Sequence, residues 1–282
     1  MDQVRDKDGF IQLQRKYSEL YKKTTYLTTR SVIVDRIYEY DIRSANTSAL
    51  RASGKFDPAI LSMLESLDKE TREKSIGNMI KAEKEDKSKP HTNRIYNIIA
   101  KGIRKAKEQL FRANNLEDEN VLSIKNDAVF VIGRKLKHTK FGEFEFKAKN
   151  QYAAYMLVEK VELYYDKRNR TVHMKGVRDE VLEHPDHQSG MIQFFVQVFD
   201  YLVMDQRKEL REFLIKFTRD YKAKRLPHQY YRELNGENHY RTIIELSGFE
   251  FNLLEAGQTD LDIINPVYNY TRFILPIIRM FM

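Results

Sequence analysis

The sequence predicts an α+β fold: a small antiparallel sheet interrupted by an inserted pair of helices and followed by a mainly helical carboxyl-terminal region. Three observations carry this. The run Val32 to Tyr40 (VIVDRIYEY) is β-branched and aromatic, the composition of a strand. Asn120 to Gly133 (NVLSIKNDAVFVIG) is two apolar runs parted by Lys125-Asn126-Asp127, the composition of a β-hairpin with a polar tip. The stretch between them has the charge density and apolar spacing of helices.

Ahead of the first strand, residues 10 to 30 read as a helix with Ile11, Leu13, Tyr17, Leu20 and Tyr21 on its apolar side and a Thr-rich break at Thr24 to Thr29. The strand runs directly into Asp41-Ile42-Arg43-Ser44-Ala45-Asn46, which leaves Asp41 at its end. Asp57-Pro58 is a helix start, a capping carboxylate followed by Pro at the position where an N–H is not missed, and Ile60, Leu61, Leu64 and Leu67 form one stripe. The next segment, DKETREKSIGNMIKAEKEDKSK, is almost all charge, so its helix protrudes and ends before Pro90. A second helix runs from His91 or Thr92 to about Ala113, with Ile95, Ile99, Ile103, Ala106 and Leu110 on one face. Arg94, Lys101, Arg104, Lys105 and Arg112 lie on the other.

Beyond the hairpin come a basic stretch from Arg134 to Lys140, an alternating FGEFEFK strand, and an amphipathic segment around Tyr152 to Val158. A strand at Val161 to Tyr165, a turn at Asp166 to Arg170 and a strand through Met174 follow, ending at Lys175-Gly176. From Val181 the pattern is mainly helical, notably Met191 to Met204 and Gln206 to Tyr221. Glu183-His184-Pro185-Asp186-His187 holds two His and two acids, but the central Pro marks it as a loop rather than a metal site.

Composition narrows the function. With 282 residues, 41% hydrophobic, 17 Tyr and 16 Phe, the chain can bury a large core. It has no cysteine, which excludes disulfides, thiol catalysis and thiolate zinc sites. No run reaches the ~18 apolar residues needed to span a bilayer, and the charged start MDQVRDKDGF lacks the core of a signal peptide. An intracellular location away from membranes is the expectation. Lys and Arg number 49 against 41 Asp and Glu, a net charge of +8, which favours a polyanionic partner if the excess is clustered and is otherwise a solvated surface.

Two carboxylates at the ends of adjacent strands can hold a pair of hard divalent cations, and phosphoryl transfer needs little other chemistry. Either acid taken singly also suits a turn or cap. Their order along the chain adds to this. Asp41-Ile42-Arg43-Ser44-Ala45-Asn46-Thr47-Ser48 keeps the Asp and both Ser of D-x-x-S-L-Y-P-S. Lys89-Pro90-His91-Thr92-Asn93-Arg94-Ile95-Tyr96-Asn97 keeps the Lys, Asn and Tyr of K-x-x-x-N-S-x-Y-G. Ser123-Ile124-Lys125-Asn126-Asp127-Ala128 keeps the second Asp of Y-G-D-T-D-S, with Lys125 in place of the first. Lys175-Gly176-Val177-Arg178-Asp179 matches a basic K-G segment, whereas the K-K-x-Y expected ahead of it has no counterpart around Lys160.

In this order the motifs resemble the palm and fingers core of family B (alpha-like) DNA polymerases, in a divergent and minimal form, over roughly residues 33 to 180. The resemblance implies a palm over 33–56 and 118–180, fingers over 57–117, a thumb-like helical region over 181–282 and a lead-in over 1–32. It implies a template-directed nucleotidyltransferase using Mg²⁺ or Mn²⁺ at Asp41 and Asp127. Ser44, Asn46, Lys89, Asn93 and Tyr96 would surround the nucleoside triphosphate, with the backbone amides after Asp41 also on its phosphates. Lys101, Arg104, Lys105, Lys175, Gly176 and Arg178 would meet primer-template or single-stranded nucleic acid. Tyr96 in the core and Lys89 as a solvated residue is the alternative for that helix. The short lead-in implies that proofreading is absent or carried by another chain, and so compact a form suits a virus or mobile element. Lys125 and the altered first motif also fit a protein that has lost catalysis and persists in nucleic-acid binding or assembly, or one subunit of a split polymerase.

Overall fold

A computed structural model of the chain describes residues 24–26, 31–85, 94–176, 185–231 and 269–282. The chain divides into two units, one comprising Met1–Thr29 and Ile37–Gln151, the other Arg30–Arg36 and Tyr152–Met282. Both combine an antiparallel sheet with helices, the α+β class read from the sequence.

Strand β1 (Thr24–Tyr26) lies where the Thr-rich break was expected, and β2 is Val32–Ile33. β3 (Ile37–Ile42) follows after exposed Val34, Asp35 and Arg36. The single strand expected over Val32 to Tyr40 is thus two, in different units, because the polar Asp35-Arg36 pair interrupts the apolar run and Asp35 Oδ1 turns back to accept the Arg36 N–H at 2.6 Å. Helices α1 (Ala45–Ala52), α2 (Pro58–Ser66), α3 (Lys69–Glu85) and α4 (Arg94–Asn114) come next, then the hairpin β4 (Val121–Lys125) and β5 (Ala128–Ile132). β6 (Lys140–Phe141) and β7 (Phe144–Tyr152) complete the first unit's six-stranded sheet, ordered β1-β4-β5-β3-β7-β6.

Local chemistry explains these elements. Asp57 Oδ1 accepts the Ala59 N–H at 2.7 Å and caps α2, as its Asp-Pro start requires. Asp68 Oδ1 does the same for α3 through Thr71 N–H at 3.0 Å. α3 is exposed along most of its length, as a helix of such charge must be, and Ile76 is its buried anchor. α4 buries Ile99, Ala106, Leu110 and Phe111 along one stripe. It lies close against α1 because residue 102 is Gly: a Cβ there would stand 2.9 Å from Ala49 Cβ.

The second unit holds β8 (Ala154–Val158), β9 (Val161–Asp166) and β10 (Thr171–Lys175), in the order β10-β9-β8-β2. Helices α5 (Pro185–Val203), α6 (Arg207–Lys222) and α7 (Leu275–Phe281) share an aromatic core with this sheet, in which Tyr165 stacks on Phe199 at 5.3 Å. Strands β8 to β10, read from sequence as palm, therefore cluster with the helices read as thumb-like. Pro185 opens α5, so Asp186 and His187 lie in a helix where a loop was expected. Among the described residues no helix is long and apolar enough to cross a membrane.

Candidate active site

Antiparallel pairing of β3 with β5 sets Asp41 opposite Ala128, and the Ile42 N–H donates to the Asp127 carbonyl at 2.9 Å. A strand end and a hairpin turn thereby deliver both acids to one place. Burial raises the Asp41 pKa above the ordinary carboxylate value, the neighbouring charge of Asp127 raises it further, and a hydrogen bond between the two carboxyls, which needs a shared proton, acts in the same direction. Lys149 on β7 opposes the rise, its Nζ lying 3.7 Å from Asp41 Oδ2. Asp41 Oδ1 is buried and receives no hydrogen bond.

Behind the hairpin tip lies Lys107 of α4, only 1% exposed, whose ammonium donates to the carbonyls of Lys125 and Asn126. Glu39, two residues before Asp41 and so on the same face of β3, is also buried, and its Oε2 accepts from Asn150 Nδ2 at 2.7 Å.

The acids open into a cavity of about 1100 Å³ formed within the first unit. Ser44 and Asn46 line it at the start of α1, Lys69, Arg72 and Glu73 come from α3, Tyr96 and Arg104 from α4, and Lys147 and Lys149 from β7. Ser44 is left-handed, with φ 48° and ψ 50°, and its side chain makes no capping hydrogen bond. Asn46 Nδ2 donates to Glu73 Oε2, linking α1 to α3. Arg72 Nε is buried without an acceptor, an anion donor facing no protein partner.

Of the residues singled out in the sequence, Asp41, Asp127, Ser44, Asn46, Tyr96 and Arg104 thus meet around one cavity. Tyr96 is 55% exposed there, which removes the core alternative. Lys101 and Lys105 are exposed on α4 and do not line the cavity. The amides of Ile42 and Arg43 are not free for phosphates, since they donate to the carbonyls of Asp127 and Glu145, each at 2.9 Å. Lys175 ends β10 in the second unit and Gly176 follows it. Gly176 has φ 95°, and a Cβ there would stand 2.6 Å from the Lys160 carbonyl oxygen, so glycine is required. Lys89, Asn93 and Arg178 lie outside the described residues.

The donor set offers hard oxygens suited to Mg²⁺ or Mn²⁺, with Asp41 Oδ1 as a buried atom in want of a partner. It is sparse. Among the described residues no group of three or more His, Cys, Asp or Glu is arranged to hold a metal, and Lys125 lies with its Nζ 5.2 Å from the Phe130 ring centroid.

Comparison with curated proteins finds no match. The family model described as Bacteriophage PBS1 gene 130 protein matches residues 16–282, which takes in both units and every residue of the cavity. The chain belongs to the Bacteriophage PBS1 gene 130 protein family.

Proposed function

We propose that this phage-family protein is a template-directed, polymerase-like nucleotidyltransferase acting inside the infected cell, with the cavity of the first unit as its nucleotide site. The observation that carries this reading is the meeting of Asp41 and Asp127 at a cavity whose lining also includes Lys69, Arg72, Arg104, Lys147 and Lys149, alongside Glu73 and apolar residues such as Ile80, Ile99 and Ile103. Paired acids suit a hard cation, and the surrounding bases suit a polyphosphate.

In this mechanism Asp41 and Asp127 would hold Mg²⁺ or Mn²⁺, whose chemistry there would be to ease loss of the proton from the attacking hydroxyl and to offset charge on the leaving pyrophosphate. Arg72 and Lys69, one turn apart on α3 and both lining the cavity, meet the triphosphate with positive charge. Exposed Tyr96 stacks on the incoming base. Asn46, held by Glu73, meets the sugar edge. Lys101 and Lys105 contact template phosphates without reading sequence.

Primer extension with Mg²⁺ or Mn²⁺ and labelled dNTPs and rNTPs tests the reading. Synthesis that is lost in Asp127→Asn supports it. Absence of synthesis, together with salt-sensitive binding of nucleic acid, would favour the second reading, a polymerase-like protein used for binding, assembly or as one part of a split enzyme. Lys125 in place of an acid is the observation behind that alternative.

A further inference from the structure

Lys107 has no role in the scheme above, yet it is the most deeply placed cation near the acids, 1% exposed on the apolar stripe of α4. Burying an ammonium is costly unless opposite charge and hydrogen-bond acceptors are close. The carbonyls of Lys125 and Asn126 supply acceptors for two of its three N–H bonds, and they immediately precede Asp127 in the turn. Burial pushes its pKa down to about 8, and the charges of Asp127 and then Asp41 resist that fall. From the other side the acids have a converse need. Two carboxylates lie together, one with a buried oxygen that receives no hydrogen bond, and Lys149 reaches Asp41 from solvent with its side chain 59% exposed.

We propose that Lys107 is a positioning residue that acts as the built-in counter-cation of the Asp41–Asp127 pair, fixing the hairpin tip through its carbonyls and balancing the carboxylates before any divalent ion arrives. The consequence for ligands is a matter of charge. With the Lys149 ammonium also on Asp41, the negative charge of the pair is largely offset, so a free divalent ion is held weakly and one accompanied by a polyphosphate, met by Lys69 and Arg72, is held better. The consequence for metal rests on the nucleotidyltransfer reading; the charge pairing does not.

A thermal double-mutant cycle on the full chain in EDTA tests the pairing, using Lys107→Gln, which keeps a donor for the carbonyls but no charge, Lys107→Met, which keeps neither, and Asp127→Asn. The expected result is coupling: Asp127→Asn shifts Tm upward by at least about 3 °C more in the Lys107→Gln background than in the unmodified chain. Additive shifts overturn the proposal, as does a Lys107→Gln protein indistinguishable from the unmodified one, which would leave only carbonyl binding. If Lys107→Met fails to fold, the Gln cycle still decides. Where the unmodified chain binds Mn²⁺ alone in calorimetric titration, Lys107→Gln should bind it about tenfold more tightly, and equal or weaker binding by that variant then overturns the proposal. Coupling in the cycle without Mn²⁺ binding by any form supports the counter-cation role and sinks the nucleotidyltransfer reading.

Discussion

The ammonium of Lys149 stands 3.7 Å from Asp41 Oδ2, on a strand whose role the sequence did not mark. It offsets part of the rise in the Asp41 pKa caused by burial and by Asp127. For an acid with a raised folded-state pKa, stability is fully present below the unfolded value and is lost as pH rises through the folded value. Ionised Asp41 therefore destabilises the first unit at neutral pH. Asp41→Asn should raise Tm at pH 7, by about 2–4 °C for each kcal/mol relieved, and the gain should vanish below about pH 4. Lys149→Gln should act in the opposite direction, lowering Tm at pH 7 and not at pH 3. Thermal melts across pH 3–8 check both.

Gly102→Ala places a methyl 2.9 Å from Ala49 Cβ and 3.3 Å from Phe144 Cζ. Neither Ala49 nor a core ring can move aside easily, so overpacking should cost about 1–3 kcal/mol by chemical denaturation. Because α1 and α4 both line the cavity, the same change should raise KM for nucleotide more than it lowers kcat. Unchanged stability would show that the two helices are not held in this approach.

On the proposed nucleotidyltransfer reading, Asn46 is the residue that meets the sugar. The resembled family has a Tyr at this position that excludes a 2′-hydroxyl by bulk, whereas Asn is smaller and its amide is held by Glu73. Ribonucleotides should be incorporated about as efficiently as deoxyribonucleotides, and Asn46→Tyr should restore preference for deoxyribose. Glu73→Ala, by freeing the amide, should weaken ribonucleotide use by about 0.5–1.5 kcal/mol, a few-fold to tenfold in kcat/KM. Strict dNTP use by the unmodified chain would place the gate elsewhere.

Nucleic-acid binding should fall steeply with salt. Lys101 and Lys105 are exposed on α4, while Arg104 Nε is shared with Glu108 at 2.7 Å. Lys101→Gln and Lys105→Gln should each reduce the slope of log K against log salt by about 0.7–0.9, and Arg104→Gln by less. Equal slopes in all four proteins, measured by fluorescence anisotropy, would remove this face from the interface.

The two acids were readable because each depends on local pattern alone: Asp41 follows an apolar β-branched run, and Asp127 follows the polar break in a hairpin. Their neighbours depend on tertiary approach. Arg72 lies in a segment so charged that every residue in it reads as solvated, yet its Nε is buried in the folded chain. Lys107 carries a sequence signal of its own, since it lies between Ala106 and Leu110 on the apolar stripe, where a lysine is out of place. Lys149 carries none: it is one of several bases on an alternating strand, and only the pairing of β7 beside β3 brings it to Asp41. The division between the units was not readable, because β2 and β3 are parted by only Val34, Asp35 and Arg36 and no Gly- or Pro-rich linker marks the change.

Ser44 links the floor of the cavity to its wall in a conformation that L residues adopt at a cost of about 1–2 kcal/mol and glycine adopts freely. Its side chain gives nothing back through capping. Judged for folding alone, glycine would be the better occupant, so selection for stability should drift this position toward it. A serine hydroxyl here is therefore a standing trade of robustness for a polar group in the lining of the cavity. Laboratory evolution for heat tolerance, run without selection for activity, should change residue 44 to glycine early, and the same evolution under selection for activity should leave the serine in place.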